Sequence, residues 1–270
     1  MPIELTLNSK LEVPLEADCI CPDRMQSLSI DDVARLTIFY GNRQQQLGEF
    51  FDINGQVDGD IIVNGDLTNI KHIGTTMSFG SITINGNIGL HTGAAMSGGM
   101  ITINGDAGDW LGPEMLGGKI VVKGNAGHLV GSGYRGSTIG MQGGEILVHG
   151  NVKNETGHCL RRGLIVIGGT AGDFTGVNML AGTIIVLGEM GIRSGAGMKR
   201  GTIISLQQAS VIPTFTKACN YSPVFIKHYF KYLIEQGFDI DTSILEGSFE
   251  RWCGDSVELN RGEILLFSNK

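Results

Sequence analysis

A glycine opens a repeated unit at Gly80, Gly99, Gly118, Gly144, Gly163, Gly182 and Gly201; the spacing is 19 residues throughout, except for 26 between Gly118 and Gly144. The shared pattern is G-x-I-x-(I/V)-x-G-(N/D)-x-G, followed further on by a methionine. A degenerate earlier unit starts near Asp60 and carries Gly65, Gly74 and Met77. A period of this length marks a string of small units, none of which buries an apolar face by itself, so the units have to stack.

Two residues after each opening glycine stands Ile82, Ile101, Ile120, Ile146, Ile165, Ile184 or Ile203. Two further on come Ile84, Ile103, Val122, Val148, Ile167 and Val186, and then Ser205, where the pattern ends. Apolar residues at period two describe a short strand with one buried face. Stacked in parallel, such strands give apolar ladders down an inner core. Three residues before the next glycine sits Met77, Met96, Met115, Met141, Met179 or Met198, with Leu160 as the exception. This methionine row is expected to be a third inward wall, since flexible thioethers fill gaps beside glycine-rich turns. The Asn or Asp after the strand (Asp66, Asn87, Asp106, Asn125, Asn151) is expected to tolerate left-handed backbone.

Glycine is the compositional anomaly that fits this picture: 42 residues, of which 34 lie between Gly65 and Gly201. Six prolines and the absence of a G-X-Y period exclude collagen. G-x-G-x-x-G segments such as Gly86–Gly89–Gly93 look like phosphate-binding loops, but they recur every 19 residues and leave no room for the helix such a loop needs. The expectation is therefore a mainly β chain: a right-handed parallel β-helix, a solenoid of 19-residue coils, over residues 60–206. An N-terminal α/β cap at 1–59 would contain a short helix begun by Ser29. The C-terminal extension at 207–270 would contain one helix in SPVFIKHYFKYLIEQG, with Phe225, Tyr229 and Leu233 on one face, and a last strand.

The formal net charge of −7 argues against nucleic acid as the main partner. No apolar run is long enough for a membrane span and no secretory leader is legible, so the expected place is the cytoplasm. Five cysteines of irregular spacing read as reduced thiols, and Cys19-x-Cys21 lacks the spacing of a redox pair. The six histidines are expected at different positions of the unit, with no two stacked, and no metal site is expected. No nucleophile, paired-acid or zinc signature occurs.

Two features stand out from the repeat. Outward strand positions change from Ser81, Thr83 and Thr102 in early units to Leu164, Val166, Ile185, Leu187, Ile204 and Leu206 in later ones. Something must cover that stripe, either the C-terminal segment or a partner protein. Equivalent turns also carry Arg161-Arg162 and, two units on, Lys199-Arg200. These four residues are the candidate binding site, for an anionic ligand or an acidic partner, unless they are simply a solvated edge; Arg193 and Arg135 are candidates to join them.

The repeat, the insertion GHLVGSGYRGSTIGMQGG at Gly127–Gly144, and the preface IFYGNRQQQLGEFFDINGQVDGDI together resemble the C-subunit of formylmethanofuran dehydrogenases. The segment HCLRRGLIVIGGTAGDFTGVNMLAG and the tail PTFTKACNYSPVFIKHYF…WCGDSVELNRGEIL are more similar to the bacterial relative, the C-subunit of the formyltransferase/hydrolase complex of methylotrophs. The glycine-marked coil alone is also similar to the β-helix of glutamate synthase large subunits. The resemblance implies a scaffold without catalytic residues of its own. Its partners would be amidohydrolase-like, formyltransferase and dehydrogenase-like subunits, in an assembly that moves a formyl group from tetrahydromethanopterin to a methanofuran-like carrier and releases formate. The resemblance further implies that this chain binds no cofactor, that the carrier and metal ions belong to partner subunits, and that a polyglutamate tail on the carrier is what the four basic residues would meet. The alternatives are the C-subunit of a tungsten or molybdenum formylmethanofuran dehydrogenase, or a glutamate-synthase-like β-helix structural subunit.

Overall fold

The structure, a computed structural model, describes residues 1–268. It is mainly β, with one large, mostly parallel sheet and three α-helices among the described residues. The N-terminal region holds β1 (Ile3–Leu7), β2 (Leu15–Glu16), α1 (Pro22–Met25), α2 (Ile30–Ala34), β3 (Thr37–Tyr40), β4 (Arg43–Gln46) and β5 (Phe51–Asn54). The repeats give β6 (Asp60–Asn64), β7 (Ile70–Lys71), β8 (Ser81–Asn85), β9 (Met100–Ile103), β10 (Lys119–Val122), β11 (Glu145–Val148), β12 (Leu164–Ile167), β13 (Thr183–Val186) and β14 (Arg200–Ser205). After them come β15 (Thr216–Tyr221), α3 (Val224–Glu235), β16 (Ser248–Gly254) and β17 (Arg261–Ser268).

Thirteen strands form one sheet in the order β15-β16-β17-β14-β13-β12-β11-β10-β9-β8-β6-β1-β5. The repeat strands pair in parallel without slipping, so the isoleucines from Ile82 to Ile203 form one ladder, and Ile84 to Val186 a second. Every rung of both ladders is fully buried, as are the six repeat methionines and Leu160. Strands outside the repeat continue the ladders at each end. Ile3 and Leu5 of β1 pair with Ile61 and Val63, and Ile264 and Leu266 of β17 stand beside Ile203 and Ser205. A second row of single parallel bridges runs Leu67–Ile88–Ala107–Ala126–Val152–Ala171–Met190, so each unit touches its neighbour along two lines.

The turns need glycine where the inner isoleucines press on them. Gly93 has φ +70°, and a Cβ there would lie 2.6 Å from Ile120 Cδ1. The Asn and Asp residues after the strands work differently from the expectation. Asn87, Asp106, Asn125 and Asn151 are absent from the left-handed region. Their side-chain oxygens instead accept the backbone N–H of the next unit: Asp106 N–H donates to Asn87 Oδ1 (2.9 Å), Asn125 N–H to Asp106 Oδ1 (2.7 Å) and Thr170 N–H to Asn151 Oδ1 (2.8 Å). Left-handed non-glycine residues of the repeat fall in two other columns: His72, His91, Trp110, Leu129, Glu155, Phe174 and Arg193, with φ from 51° to 68°, and Thr76, Ala95, Glu114, Cys159 and Asn178, with φ from 52° to 59°.

The first of these columns corrects the expectation for histidine. His72 and His91 are 19 residues apart, occupy the same position in successive units, and stack with ring centroids 4.8 Å apart. Trp110 continues the row at 5.4 Å from His91, and the Tyr134 hydroxyl lies 3.1 Å from His91 Nδ1.

The apolar outer stripe is covered by the chain itself. Val166, Leu147, Ile185 and Ile204 are buried against Ile226, Phe230 and Leu233 of α3, with Phe238, Phe249 and Leu265. The Ser29 hydroxyl accepts from Asp32 N–H at the start of α2, and Gly237, with φ +85°, follows the end of α3. The buried face of α3 is rotated from the one expected: Ile226 and Phe230 point inward with Leu233, while Phe225 is 40% exposed. Lys119 fixes the helix, donating to Tyr232 Oη (2.9 Å) and Gln236 Oε1 (2.6 Å). The strands β15 and β16, which flank α3, were not legible in the sequence.

Candidate functional site

Arg161, Leu180 and Lys199 occupy one position of three successive units, as do Arg162, Ala181 and Arg200. The backbone enforces this: Leu180 N–H donates to Leu160 O and Lys199 N–H to Met179 O, both at 2.8 Å. With neighbouring strands about 4.8 Å apart, the two basic pairs stand about 10 Å apart across the middle unit. The small or uncharged residues Leu180, Ala181 and Gly182 make the floor between them. The result is a trough with cationic walls, formed by two adjoining hollows of about 490 and 550 Å³ that share Arg161, Leu180 and Lys199.

All four residues singled out in the sequence therefore line one concave surface. Arg193 and Arg135 do not. Arg193 lies over the Phe174 ring, 5.3 Å from its centroid, in the column of His72 and His91. Arg135 lies in the insertion and lines neither hollow. The insertion contributes Ser137 and Thr138 to one end of the trough, and the loop before β17 contributes Glu258 and Leu259. No repeat phase marks either segment, so the sequence pattern did not reveal them.

Among the described residues, Arg161, Arg162 and Arg200 have no carboxylate within ion-pair distance, while Lys199 Nζ lies 3.9 Å from Glu258 Oε2. Three unneutralised guanidinium groups on a chain of net charge −7 make a local positive surface. Guanidinium suits carboxylate or phosphate by paired N–H donation. Beside the basic wall, Cys159 Sγ lies 3.3 Å from His158 Nε2. Burial pushes the Cys159 thiol up, which disfavours the thiolate a nucleophile needs. Cys19 and Cys21 are buried and pushed up to about 12 and about 11. Among the described residues no group of three or more His, Cys, Asp or Glu is placed to hold a metal, and no helix is long and apolar enough to cross a membrane. What the trough offers chemically is charge and fixed spacing.

The family model described as GXGXG motif matches residues 68–231. Among curated proteins, the chain is 42% identical over 92 residues to the C-subunit of the molybdenum-containing formylmethanofuran dehydrogenase 1 of Methanothermobacter thermautotrophicus; the match covers 33% of this chain and 23% of that protein. It is 43% identical over 94 residues to the C-subunit of the tungsten-containing formylmethanofuran dehydrogenase 2 of Methanothermobacter wolfeii, covering 33% of this chain and 35% of that protein. The matched stretch thus spans about a quarter to a third of these relatives. A chain in the crystal structure of the formyltransferase/hydrolase complex (FhcABCD) from Methylorubrum extorquens, in complex with methylofuran, superposes with a TM-score of 0.90 and 29% identity, over 98% of this chain and 100% of that one.

Proposed function

The chain belongs to the GXGXG motif family, and from that premise we propose that it is the non-catalytic scaffold subunit of a multisubunit formyltransferase/hydrolase complex. The assembly would move a formyl group from tetrahydromethanopterin to a methanofuran-like carrier and release formate. The observation that carries this reading is the end-to-end likeness to a chain of the methylofuran-bound complex, at 29% identity and a TM-score of 0.90. In this reading residues 60–206 are a right-handed parallel β-helix, capped by 1–59 and clasped by 207–270. Its partners are amidohydrolase-like, formyltransferase and dehydrogenase-like subunits in the cytoplasm, with neither nucleic acid nor membrane involved. The chain binds no cofactor itself; the carrier and metal ions sit in partner subunits. The trough of Arg161, Arg162, Lys199 and Arg200 gives the carrier's anionic tail a resting surface.

The identities of 42–43% to the C-subunits of formylmethanofuran dehydrogenases favour a second reading, the same scaffold role beside a tungsten or molybdenum centre. Purification of the native assembly on a tag carried by this chain, with mass spectrometry of the partners and metal analysis, separates the two. Formyltransferase and amidohydrolase-like partners without tungsten or molybdenum support the first. Stoichiometric tungsten or molybdenum supports the second, and a chain that purifies alone contradicts both.

A further inference from the structure

Among the described residues Glu258 is the one carboxylate lining the basic trough, and its backbone is held in place. It lies in the loop between β16 and β17, where buried Asp255 accepts the N–H of Gly197 (2.9 Å) and of Val257 (3.0 Å), and Glu258 N–H donates to Asp255 O (3.1 Å). Through Gly197 the loop is tied to the turn that carries Lys199. The side chains are freer: Glu258 Oε2 lies 3.9 Å from Lys199 Nζ, with the lysine 46% and the glutamate 35% exposed. A pair at this separation, open to water, is weak and exchangeable.

We infer that Glu258 is a displaceable internal carboxylate, which occupies the anion position at Lys199 and has to be displaced by a polycarboxylate that fills the trough. The inference rests on the anion-binding role proposed above for the trough. A single carboxylate arriving at Lys199 has to compete with one that is tethered beside it, at high effective concentration. A linear polycarboxylate also reaches Arg161, Arg162 and Arg200, which have no internal counterion, and its additional contacts outweigh the competition. Glu258 therefore lowers the affinity of a ligand that fills the whole trough by about one exposed ion pair, the contact it holds at Lys199.

The test is calorimetric titration of the full chain with a tetraglutamate peptide, at low and high ionic strength. Glu258→Gln is expected to tighten tetraglutamate binding about two- to fivefold, the range of an exposed ion pair, and to do so less at high salt. The gain should vanish in the Lys199→Gln background, and Lys199→Gln alone should weaken binding less than Arg161→Gln does, because Lys199 is already partly occupied. Unchanged or weaker tetraglutamate binding by folded Glu258→Gln, while the Arg161→Gln/Arg162→Gln/Arg200→Gln variant binds less than wild type, overturns the internal-carboxylate role and leaves the trough standing. Identical binding by wild type and that triple variant overturns the trough itself, and this inference with it.

Discussion

His72 and His91 stack nearly face to face, with ring centroids 4.8 Å apart and planes 9° from parallel. Burial pushes both imidazoles below their ordinary value, His91 to about 4. A charge on His91 would also be repelled by Lys71 and by any charge on His72, with Glu16 and Asp109 opposing the shift. At His72, Lys71 adds to the shift while Glu16 and Asp18 oppose it. The stack is therefore a neutral one, and its charge state is linked to folding.

Stability should fall on acidification in a defined window. The unfolded chain protonates His91 near 6.5, whereas the folded chain resists protonation until about 4. Below 6.5 the unfolded state binds the extra proton, so stability present at pH 7 is lost progressively between pH 6.5 and 4. Urea midpoints at pH 7 and pH 5 should differ, and His91→Phe, which keeps the stack without a titrating group, should reduce that difference. An unchanged difference in His91→Phe would remove His91 as its source.

Ile146→Asp should destabilise the chain by about 3–5 kcal/mol, because it places an unpaired carboxylate in the ladder. Ile146 is fully buried between Ile120 and Ile165. Denaturant unfolding of the purified variant measures this directly. A soluble variant with a wild-type midpoint would mean that Ile146 does not face the core.

Phe230→Ala should cost about 3–5 kcal/mol by leaving a cavity under α3. Phe230 is fully buried in a cluster separate from the ladders. The variant should retain the far-ultraviolet circular dichroism of the repeat strands while binding more of an apolar dye, since Val166, Ile185 and Ile204 lose their cover. Unaltered dye binding and midpoint would place the cover elsewhere.

The repeat was legible because one physical demand, an apolar rung every unit, fixes residue type at a fixed interval from Ile82 to Ile203. Arg161, Arg162, Lys199 and Arg200 were legible for the same reason, since equal phase in stacked units means proximity. Glu258 was not: it comes from a loop outside the period and reaches Lys199 only through the path of β16 and β17. The rotation of α3 was hidden as well, because an aromatic helix offers Phe225 and Phe230 on different faces and only the sheet beneath selects one. The His72–His91 stack was available from a spacing of 19 and needed only the counting of that column.

Replacing Arg161, Arg162, Lys199 and Arg200 together by Gln should raise the apparent Michaelis constant for an anionic carrier and flatten its salt dependence, while leaving the chemical step nearly unchanged. Each exposed contact contributes about 0.2–1 kcal/mol and is screened by salt. Steady-state turnover of the intact complex against carrier concentration, at two ionic strengths, reads both quantities. An unchanged constant and salt slope in an assembled complex would exclude docking at the trough, and loss of assembly would assign the four residues to an interface with a partner.

Formyl transfer and formate release, measured for the isolated chain and for the assembly purified through it, test the scaffold role most directly. The isolated chain should show no turnover of formyl-tetrahydromethanopterin or of formylated carrier, and the assembly should show both reactions. Turnover by the isolated chain, or a pure chain that brings down no partner with either activity, would contradict the account.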